Sequence, residues 1–139
     1  MRTSLDKIRV QDYMSASLLT FTPETDVLAA INSLIEKGVS GAPVLDKLGN
    51  LVGMLSEKDC MRLALNAGYH GDLGGRVGDF MSPKVITVDA DTSILEVARM
   101  FQEAPFKRYP VVSDNRLVGS ISRSDVLRAI DALRGNFPV

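Results

Sequence analysis

The chain of 139 residues lacks several features that mark particular classes of protein. Its single cysteine, Cys60, excludes an internal disulfide. No stretch approaches the roughly 20 consecutive apolar residues of a membrane-spanning helix, and the first residues contain no apolar run that could serve as a signal peptide. We therefore expect a cytoplasmic protein with no membrane partner.

The chain also lacks an excess of charge of one sign. Sixteen basic residues stand against seventeen acidic ones, which leaves a net charge of −1. Duplex nucleic acid attracts proteins with a broad positive surface, and this balance does not provide one. We therefore do not expect nucleic acid as a partner, whereas a small ligand is compatible with the composition.

Catalytic motifs are absent too. The sequence contains no complete Walker loop, no Gly-x-Ser-x-Gly elbow and no Gly-x-Gly-x-x-Gly fingerprint. Its only histidine, His70, lies in a glycine-rich stretch without a cluster of cysteines or carboxylates, so we expect no metal site. Cys60 is interpreted as a small core residue rather than a reactive thiol. We expect no catalytic residue, and hence no enzyme.

What the sequence does contain is an internal repeat. The stretch that starts at Val10 recurs from Val77, a shift of 77 − 10 = 67, which drops to 66 where one residue is missing between Val111 and Leu117. The two copies share 16 identities at 54 aligned positions, whereas average residue usage gives about three or four by chance. The missing residue falls where a turn is predicted, and a loop tolerates such a change.

Each copy predicts the same order of elements: strand, helix, strand, strand, helix. Thr25 and Thr92 are interpreted as N-caps of the first helices, and the last helices are expected to begin near Ser56 and Ser122. The predicted strands are 18–21, 42–45 and 51–55 in the first copy, and 85–88, 110–112 and 117–121 in the second. The apolar residues expected to face the core are Val27, Leu28, Ile31, Leu34, Ile35, Met61 and Leu65, and in the second copy Ile94, Leu95, Val97, Ala98, Phe101, Val126, Leu127 and Ile130.

Such a unit is too small to cover both faces of its sheet, so the two copies must pack together. We therefore predict an α/β (α+β) fold of two β-α-β-β-α repeats. The stretch 66–76 contains four glycines and is expected to be an exposed connector.

The runs GVSGAPVLDKLGNLVGMLSEKD and FKRYPVVSDNRLVGSISRSD resemble the cystathionine-β-synthase (CBS) domain family. The resemblance covers residues 8 to 134. It depends on a proline followed by two apolar residues, a Leu-Val-Gly step and a Ser-x-x-Asp that opens the last helix, in register and twice. It implies a first CBS domain at 8–68, a connector at 69–76 and a second CBS domain at 77–134, packed with pseudo-two-fold symmetry and usually paired with a second copy as a homodimer.

The resemblance implies a regulatory module, of the kind used in energy sensing, that binds an adenine nucleotide in clefts between the repeats. The ligand would be AMP, ADP, ATP or a related adenosyl compound, with no cofactor required, and the signal would pass to a separate, unknown effector protein. One alternative is a structural homodimerisation module with empty clefts. Another is a nucleotide-hydrolysing enzyme.

In that family, groups just before the proline hold adenine, the Asp of Ser-x-x-Asp holds the ribose diol, and nearby hydroxyl and basic groups hold phosphate. Carried over to this sequence, the resemblance implies that the first repeat binds ligand through Thr20, Val39, Ser40, Gly41, Ala42, Pro43, Ser56, Lys58 and Asp59. In the second repeat it implies Thr87, Lys107, Arg108, Tyr109, Pro110, Ser122, Arg123, Ser124 and Asp125.

The two Ser-x-x-Asp steps also have the form of a capping box, which by itself would explain both. The same geometry suits a ligand, because an exposed helix N-terminus attracts phosphate and a fixed carboxylate accepts ribose hydroxyls. Lys107, Arg108 and Arg123 make the second repeat the more basic one. We therefore expect the site at Asp125 to bind more tightly than the site at Asp59.

Overall fold

The computed structural model describes residues 4–16, 18–71 and 73–136. They form two compact units. The first unit comprises Leu19–Val85, and the second unit comprises Met1–Leu18 together with Ile86–Val139. Helices and strands alternate in both, so the fold is of the α+β class, as the sequence predicted.

The first unit is a small sheet covered by helices. Its strands β1 and β2 are antiparallel, and Phe21 extends the sheet by a parallel bridge to Val44 of β1. The core lies between this sheet and the helices. The elements are α1 (Val27–Lys37), β1 (Gly41–Leu45), β2 (Leu51–Ser56), α2 (Glu57–His70) and α3 (Val77–Phe80).

The second unit repeats this arrangement. Its sheet has the order β3-β4-β5, with β3 parallel and β5 antiparallel to β4, and Ser15 bridges to Ser120 at the edge. The elements are β3 (Val88–Asp89), α4 (Ile94–Glu103), β4 (Arg108–Ser113), β5 (Arg116–Ser122) and α5 (Arg123–Ala132), with 3₁₀ turns at Val10–Asp12 and Leu133–Asn136.

The segment that opens each sequence repeat packs in the unit built by the other repeat. We call these two segments, residues 8–16 and 77–85, the crossing segments. Ser82 exchanges two backbone hydrogen bonds with Met54 of β2, at 2.8 and 2.9 Å, and Ser15 does the same with Ser120 of β5, at 2.9 Å. The predicted domain boundaries follow the sequence repeat. The spatial units therefore differ from them at residues 8–18 and 77–85.

This packing explains the glycine of the Leu-Val-Gly step. A Cβ atom on Gly53 would lie 2.7 Å from Met81 Sδ and 2.9 Å from the Ser82 carbonyl oxygen. A Cβ atom on Gly119 would lie 2.6 Å from Met14 Sδ and 2.8 Å from the corresponding carbonyl oxygen of Ser15. Only a residue without a side chain leaves room for the crossing segment.

The first helices begin one residue later than predicted. Asp26 caps α1 by accepting a hydrogen bond from Ala29 N at 3.0 Å, and Ser93 caps α4 by accepting one from Glu96 N at 3.1 Å. The prediction of Thr25 and Thr92 as N-caps was therefore wrong. Thr25 Oγ1 instead accepts from the N–H of Thr22 at 3.1 Å, within the turn before the helix.

Two further element boundaries differ from the prediction. The first strand of each repeat is shorter than expected, because Phe21 makes only an isolated bridge and β3 contains only Val88 and Asp89. In the opposite direction, α2 continues to His70, so residues 66–70 of the predicted connector are helical.

The last helices match the predicted core face only in part, since Val126 is buried as predicted whereas Leu127 and Ile130 are exposed. Cys60 and Leu63 are buried in α2, whereas Met61 is 58% exposed. Both apolar faces of these helices fit a helical period, and the sheet contacts the one with smaller residues. The residues that were predicted to face the core but are exposed are Leu28, Ile35, Met61, Leu65, Leu95, Leu127 and Ile130. Cys60 is confirmed as a core residue, and no helix in the described part of the chain has the length and apolar character to cross a membrane.

Candidate functional site

The first candidate site is the corner where β2 gives way to α2. Asp59 Oδ2 accepts hydrogen bonds from Ser56 N at 2.8 Å and from Ser56 Oγ at 2.9 Å. Ser56 Oγ in turn lies 3.1 Å from Asp59 N. The capping box expected from the sequence is therefore present, and it fixes a half-buried carboxylate at a helix N-terminus.

The loop before β1 lies against this corner. Gly41 pairs with Ser56 across the hairpin, and the Ser40 carbonyl oxygen accepts a hydrogen bond from Glu57 N at 2.9 Å. A Cβ atom on Gly41 would lie 2.9 Å from the Leu55 carbonyl oxygen, so the strands approach closely here. The structure thus brings Ser40 and Gly41 next to Glu57 and Ser56, and Val39 lines the same groove as Ser40 and Glu57.

The remaining predicted residues of the first repeat lie around this corner or beneath it. Ala42 and Pro43 are buried in β1, so they contribute to the sheet. Thr20 is exposed and directly precedes Phe21, whose N–H donates to the Pro43 carbonyl oxygen at 3.0 Å. Lys58 is exposed in the first turn of α2.

The second candidate site is the equivalent corner between β5 and α5. Arg108 pairs with Ser122, and Arg123 N lies 3.3 Å from the Lys107 carbonyl oxygen. The capping box is formed again: Asp125 Oδ2 accepts from Ser122 N at 2.8 Å, and Ser122 Oγ accepts from Asp125 N at 3.3 Å. Asp125 is buried.

Some side chains around the second corner are exposed, whereas others form hydrogen bonds or pack within the protein. The Arg108 guanidinium donates to Ser120 Oγ at 2.8 Å, so it is partly occupied within the sheet. The side chain of Tyr109 lies in the core, where its hydroxyl donates to the Met100 carbonyl oxygen at 3.3 Å. Pro110 is buried as well, and the exposed members of the predicted set are Thr87, Lys107, Arg123 and Ser124.

Burial dominates the chemistry of two groups near these corners. It raises the pKa of the Cys60 thiol, and the negative charges of Asp59 and Glu57 raise it further, which disfavours the reactive thiolate. Burial also raises the pKa of the Tyr109 hydroxyl, against a smaller lowering effect of Arg123. Neither group has the accessible, activated form that catalysis requires.

Two arginines at the corners are missing from the predicted site. Arg128 Nη2 donates to Asp125 Oδ1 at 2.6 Å and to the Tyr13 carbonyl oxygen at 3.1 Å. Arg62, its counterpart in the first unit, donates to the carbonyl oxygen of Phe80. A signal was available in the sequence, because Arg62 and Arg128 are identical in the two repeats and each follows its aspartate by three residues.

No group of three or more His, Cys, Asp or Glu side chains that could hold a metal occurs within residues 4–16, 18–71 and 73–136. His70 ends α2, and its side chain lies outside the described part of the chain. The expectation that it binds no metal stays a prediction.

Comparison with known proteins gives consistent matches. A model of the CBS domain matches the chain twice, at residues 10–66 and 77–132. The chloroplastic CBS domain-containing protein CBSX2 of Arabidopsis thaliana is 31% identical over 148 residues, covering 86% of this chain and 62% of that protein. The crystal structure of CBSX2 in complex with AMP has a TM-score of 0.79 and 34% identity, covering 91% of this chain and 98% of that one.

A second solved structure is the CBS domain pair of protein MJ0100 in complex with 5′-methylthioadenosine and S-adenosyl-L-methionine. It has a TM-score of 0.74 and 25% identity, covering 89% of this chain and 96% of that one. The chain spans 42%, 62% and 56% of the lengths of the first three curated relatives it matches.

Proposed function

Because this chain belongs to the CBS domain family, with two copies of the domain in tandem, we propose that it is a regulatory module that binds an adenosyl ligand. The ligand is AMP, ADP, ATP or a related compound such as S-adenosylmethionine. CBSX2, solved with AMP, and the MJ0100 pair, solved with two adenosyl compounds, support this choice of ligand. No cofactor or metal takes part.

One observation carries the proposal: the pairing of Gly41 with Ser56 puts an accessible loop backbone beside a fixed carboxylate. The carboxylate of Asp59 is held through Oδ2, which leaves Oδ1 to accept hydroxyl donors from a ribose. The backbone of residues 39–41 offers amide groups and small side chains to the flat adenine ring. Ligand recognition of this kind needs no catalytic group.

The other predicted residues receive roles by their position. In the first unit, Lys58 and Thr20 are exposed and supply charge and a hydroxyl for phosphate. In the second unit, Lys107, Arg123, Ser124 and Thr87 do so, and Asp125 accepts the ribose. Ala42, Pro43, Tyr109 and Pro110 support the sites from within β1 and β4, because their side chains are buried in the sheets.

The module also pairs with a second copy of itself in this proposal. A groove of about 520 Å³ between α1 and α2 is lined mostly by apolar side chains, among them Ile35 and Met61. The corresponding groove of the second unit, also about 520 Å³, has Leu127 at its edge. Exposed apolar residues on helices are typical of subunit interfaces, so burying them in a homodimer is favourable. A separate effector protein then reads the ligand state.

Affinity should be moderate. AMP has about 23 non-hydrogen atoms, and roughly 0.3 kcal/mol per atom gives about 7 kcal/mol, or a Kd on the order of 10 μM. Such a ligand raises the melting temperature, because it binds the folded state alone. Titration calorimetry and thermal melts with AMP, ADP, ATP and S-adenosylmethionine test this directly.

The double variant Asp59→Asn/Asp125→Asn is the matched control, since both substitutions keep the size of the side chain and remove its charge. It should lose most of the binding heat while retaining the fold. If millimolar amounts of all four ligands leave the melting temperature of the wild type unchanged, the alternative of a structural homodimerisation module is favoured.

Incubation with ATP and magnesium, followed by product analysis, tests the second alternative, nucleotide hydrolysis. The prediction that the protein is not an enzyme requires that no ADP or AMP accumulates. The cytoplasmic location also stays a prediction, since CBSX2 is a chloroplastic protein. Cell fractionation tests it.

A further inference from the structure

The two aspartates of the candidate sites share a Ser-x-x-Asp-x-x-Arg pattern but differ in their partners. We infer that Arg128 competes with bound ribose for Asp125, so that the ribose diol contributes less to binding in the second unit than in the first. This inference rests on the proposed function. Arg128 is thereby a residue that sets the relative specificity of the two sites.

In the second unit both oxygens of the Asp125 carboxylate are occupied. Oδ2 accepts from Ser122 N at 2.8 Å, and Oδ1 accepts from Arg128 Nη2 at 2.6 Å. Only 11% of the Asp125 side chain is exposed. Because little of this carboxylate is exposed and its Oδ1 already contacts Arg128, a ribose diol must displace or share that contact.

In the first unit the equivalent arginine makes the corresponding carbonyl contact but no contact to the aspartate. Arg62 donates to the Phe80 carbonyl oxygen, and its guanidinium carbon lies 5.6 Å from the centroid of the Phe80 ring. Within the described residues, Arg62 forms no ion pair with Asp59, and Asp59 Oδ1 has no hydrogen-bond donor. A ribose therefore meets an available oxygen at this site.

Both arginines contact the segment that opens a repeat in the same way, and Arg128 contacts Asp125 in addition. Arg128 also contacts the aromatic residue of its crossing segment, with its guanidinium carbon 5.9 Å from the centroid of the Tyr13 ring. Its Nη2 atom is shared between the Tyr13 carbonyl oxygen at 3.1 Å and Asp125. Because 62% of the Arg128 side chain is exposed, it is free to withdraw from Asp125 without unpacking the core.

The competition is measured as the ratio of the Kd for 2′,3′-dideoxy-AMP to the Kd for AMP. The two ligands share base and phosphate, so the ratio isolates the diol and cancels any effect of the arginine charge on the phosphate. In an Asp59→Asn background, which leaves the second site, Arg128→Gln should raise this ratio about fivefold. Arg128→Lys, which keeps the charge but has no planar fork, should raise it by a smaller factor.

Arg62→Gln in an Asp125→Asn background is the matched control, and its ratio should stay within about twofold of the background. A ratio that is unchanged or lower in the Arg128→Gln variant overturns the inference, and so does an equal change in the Arg62→Gln variant. In those cases AMP binding by the wild type still supports the proposed function. Failure of the wild type to bind any of AMP, ADP, ATP and S-adenosylmethionine overturns both.

Discussion

The N–H and the hydroxyl of Ser56 both point at one oxygen of Asp59, at 2.8 and 2.9 Å, and that oxygen is the fixed point of the first corner. The relationship is structural before it is functional, because it satisfies free backbone groups at the start of α2. It also leaves the other carboxylate oxygen without a donor among the described residues. Under the proposed function, a single motif in the sequence therefore encodes both a helix start and a binding group.

The capping role of Ser56 and Ser122 is tested by removing their hydroxyl groups. Ser56→Ala and Ser122→Ala should each lower the free energy of unfolding by about 1 kcal/mol, since each leaves a helix N-terminus without its side-chain acceptor. Urea denaturation without ligand measures this. Ser124→Ala is the control, because Ser124 is exposed and caps no helix, and it should change stability by less than about 0.5 kcal/mol. Equal effects of all three substitutions would contradict the assignment of the caps.

The crossing segments lead to a second prediction, at Gly53 and Gly119. An added methyl group would lie within 3 Å of a backbone carbonyl oxygen, at 2.9 Å for Gly53 and 2.8 Å for Gly119. Backbone cannot move aside as a flexible side chain does, so Gly53→Ala and Gly119→Ala should each destabilise the protein by about 1 to 3 kcal/mol in urea denaturation.

Gly68 provides the opposite control. It lies within α2, and a Cβ atom placed on it would meet nothing within 4 Å. Gly68→Ala should therefore stabilise the protein by about 0.5 to 1 kcal/mol, because alanine is the better helix former. Tolerance of alanine at both Gly53 and Gly119 would mean that the crossing segments do not lie where the structure has them.

These crossing segments mark the limit of what the sequence predicts. The sequence predicted the hairpins, the Ser56 and Ser122 caps and the tandem. Each of these features leaves a local signal, namely turn residues, cap residues or identity between the copies. The exchange of segments is not local. Val10 and Met14 match Val77 and Met81, so either segment fits either unit by composition alone. The sequence repeat therefore does not show which segment packs in which unit.

The faces of the last helices show a related limit. Cys60 and Met61 are neighbours, and each begins an apolar series along α2, so periodicity alone allows two inward faces. The packing space beneath the helix selects the series of smaller residues, Cys60 and Leu63. Likewise Arg62 and Arg128 occupy equivalent positions in the two repeats. Each donates to the carbonyl oxygen of the equivalent residue, Phe80 or Tyr13, but Arg128 also pairs with its aspartate, and no signal in the sequence distinguishes the two.

A third prediction concerns pH. Burial raises the pKa of the Tyr109 hydroxyl above its ordinary value of 10.0, so the folded state holds this proton more tightly than the unfolded state. The resulting stability is fully present below about pH 10 and is lost as the pH rises through the higher folded-state pKa. The free energy of unfolding of the wild type should therefore fall more steeply above about pH 10 than that of Tyr109→Phe, which cannot ionise.

Urea denaturation at a series of pH values measures this slope. Tyr69→Phe serves as the control, because the Tyr69 side chain is exposed, and its slope should match that of the wild type. If the free energy of unfolding falls equally steeply with pH in the wild type and in Tyr109→Phe, ionisation of Tyr109 does not destabilise the folded state and the prediction is wrong.

The last prediction separates phosphate from ribose at the second corner. Lys107 and Arg123 are exposed and adjacent, since Arg123 N lies 3.3 Å from the Lys107 carbonyl oxygen, whereas Arg108 is engaged with Ser120. Under the proposed function, the basic character of this site should therefore act through these two cations. In an Asp59→Asn background, Lys107→Ala/Arg123→Ala should weaken AMP about tenfold, which corresponds to about 1.4 kcal/mol.

The same variant should change the Kd for adenosine, which has no phosphate, by less than about twofold. Lys58→Ala in an Asp125→Asn background is the counterpart at the first corner, where a single cation should give a smaller loss of about threefold for AMP. Calorimetry at low and high salt adds a check, because a phosphate contact at exposed cations weakens as salt screens it. If adenosine and AMP weaken equally, Lys107 and Arg123 act on the shape of the corner, and the second site owes its affinity to Asp125 and the loop backbone instead.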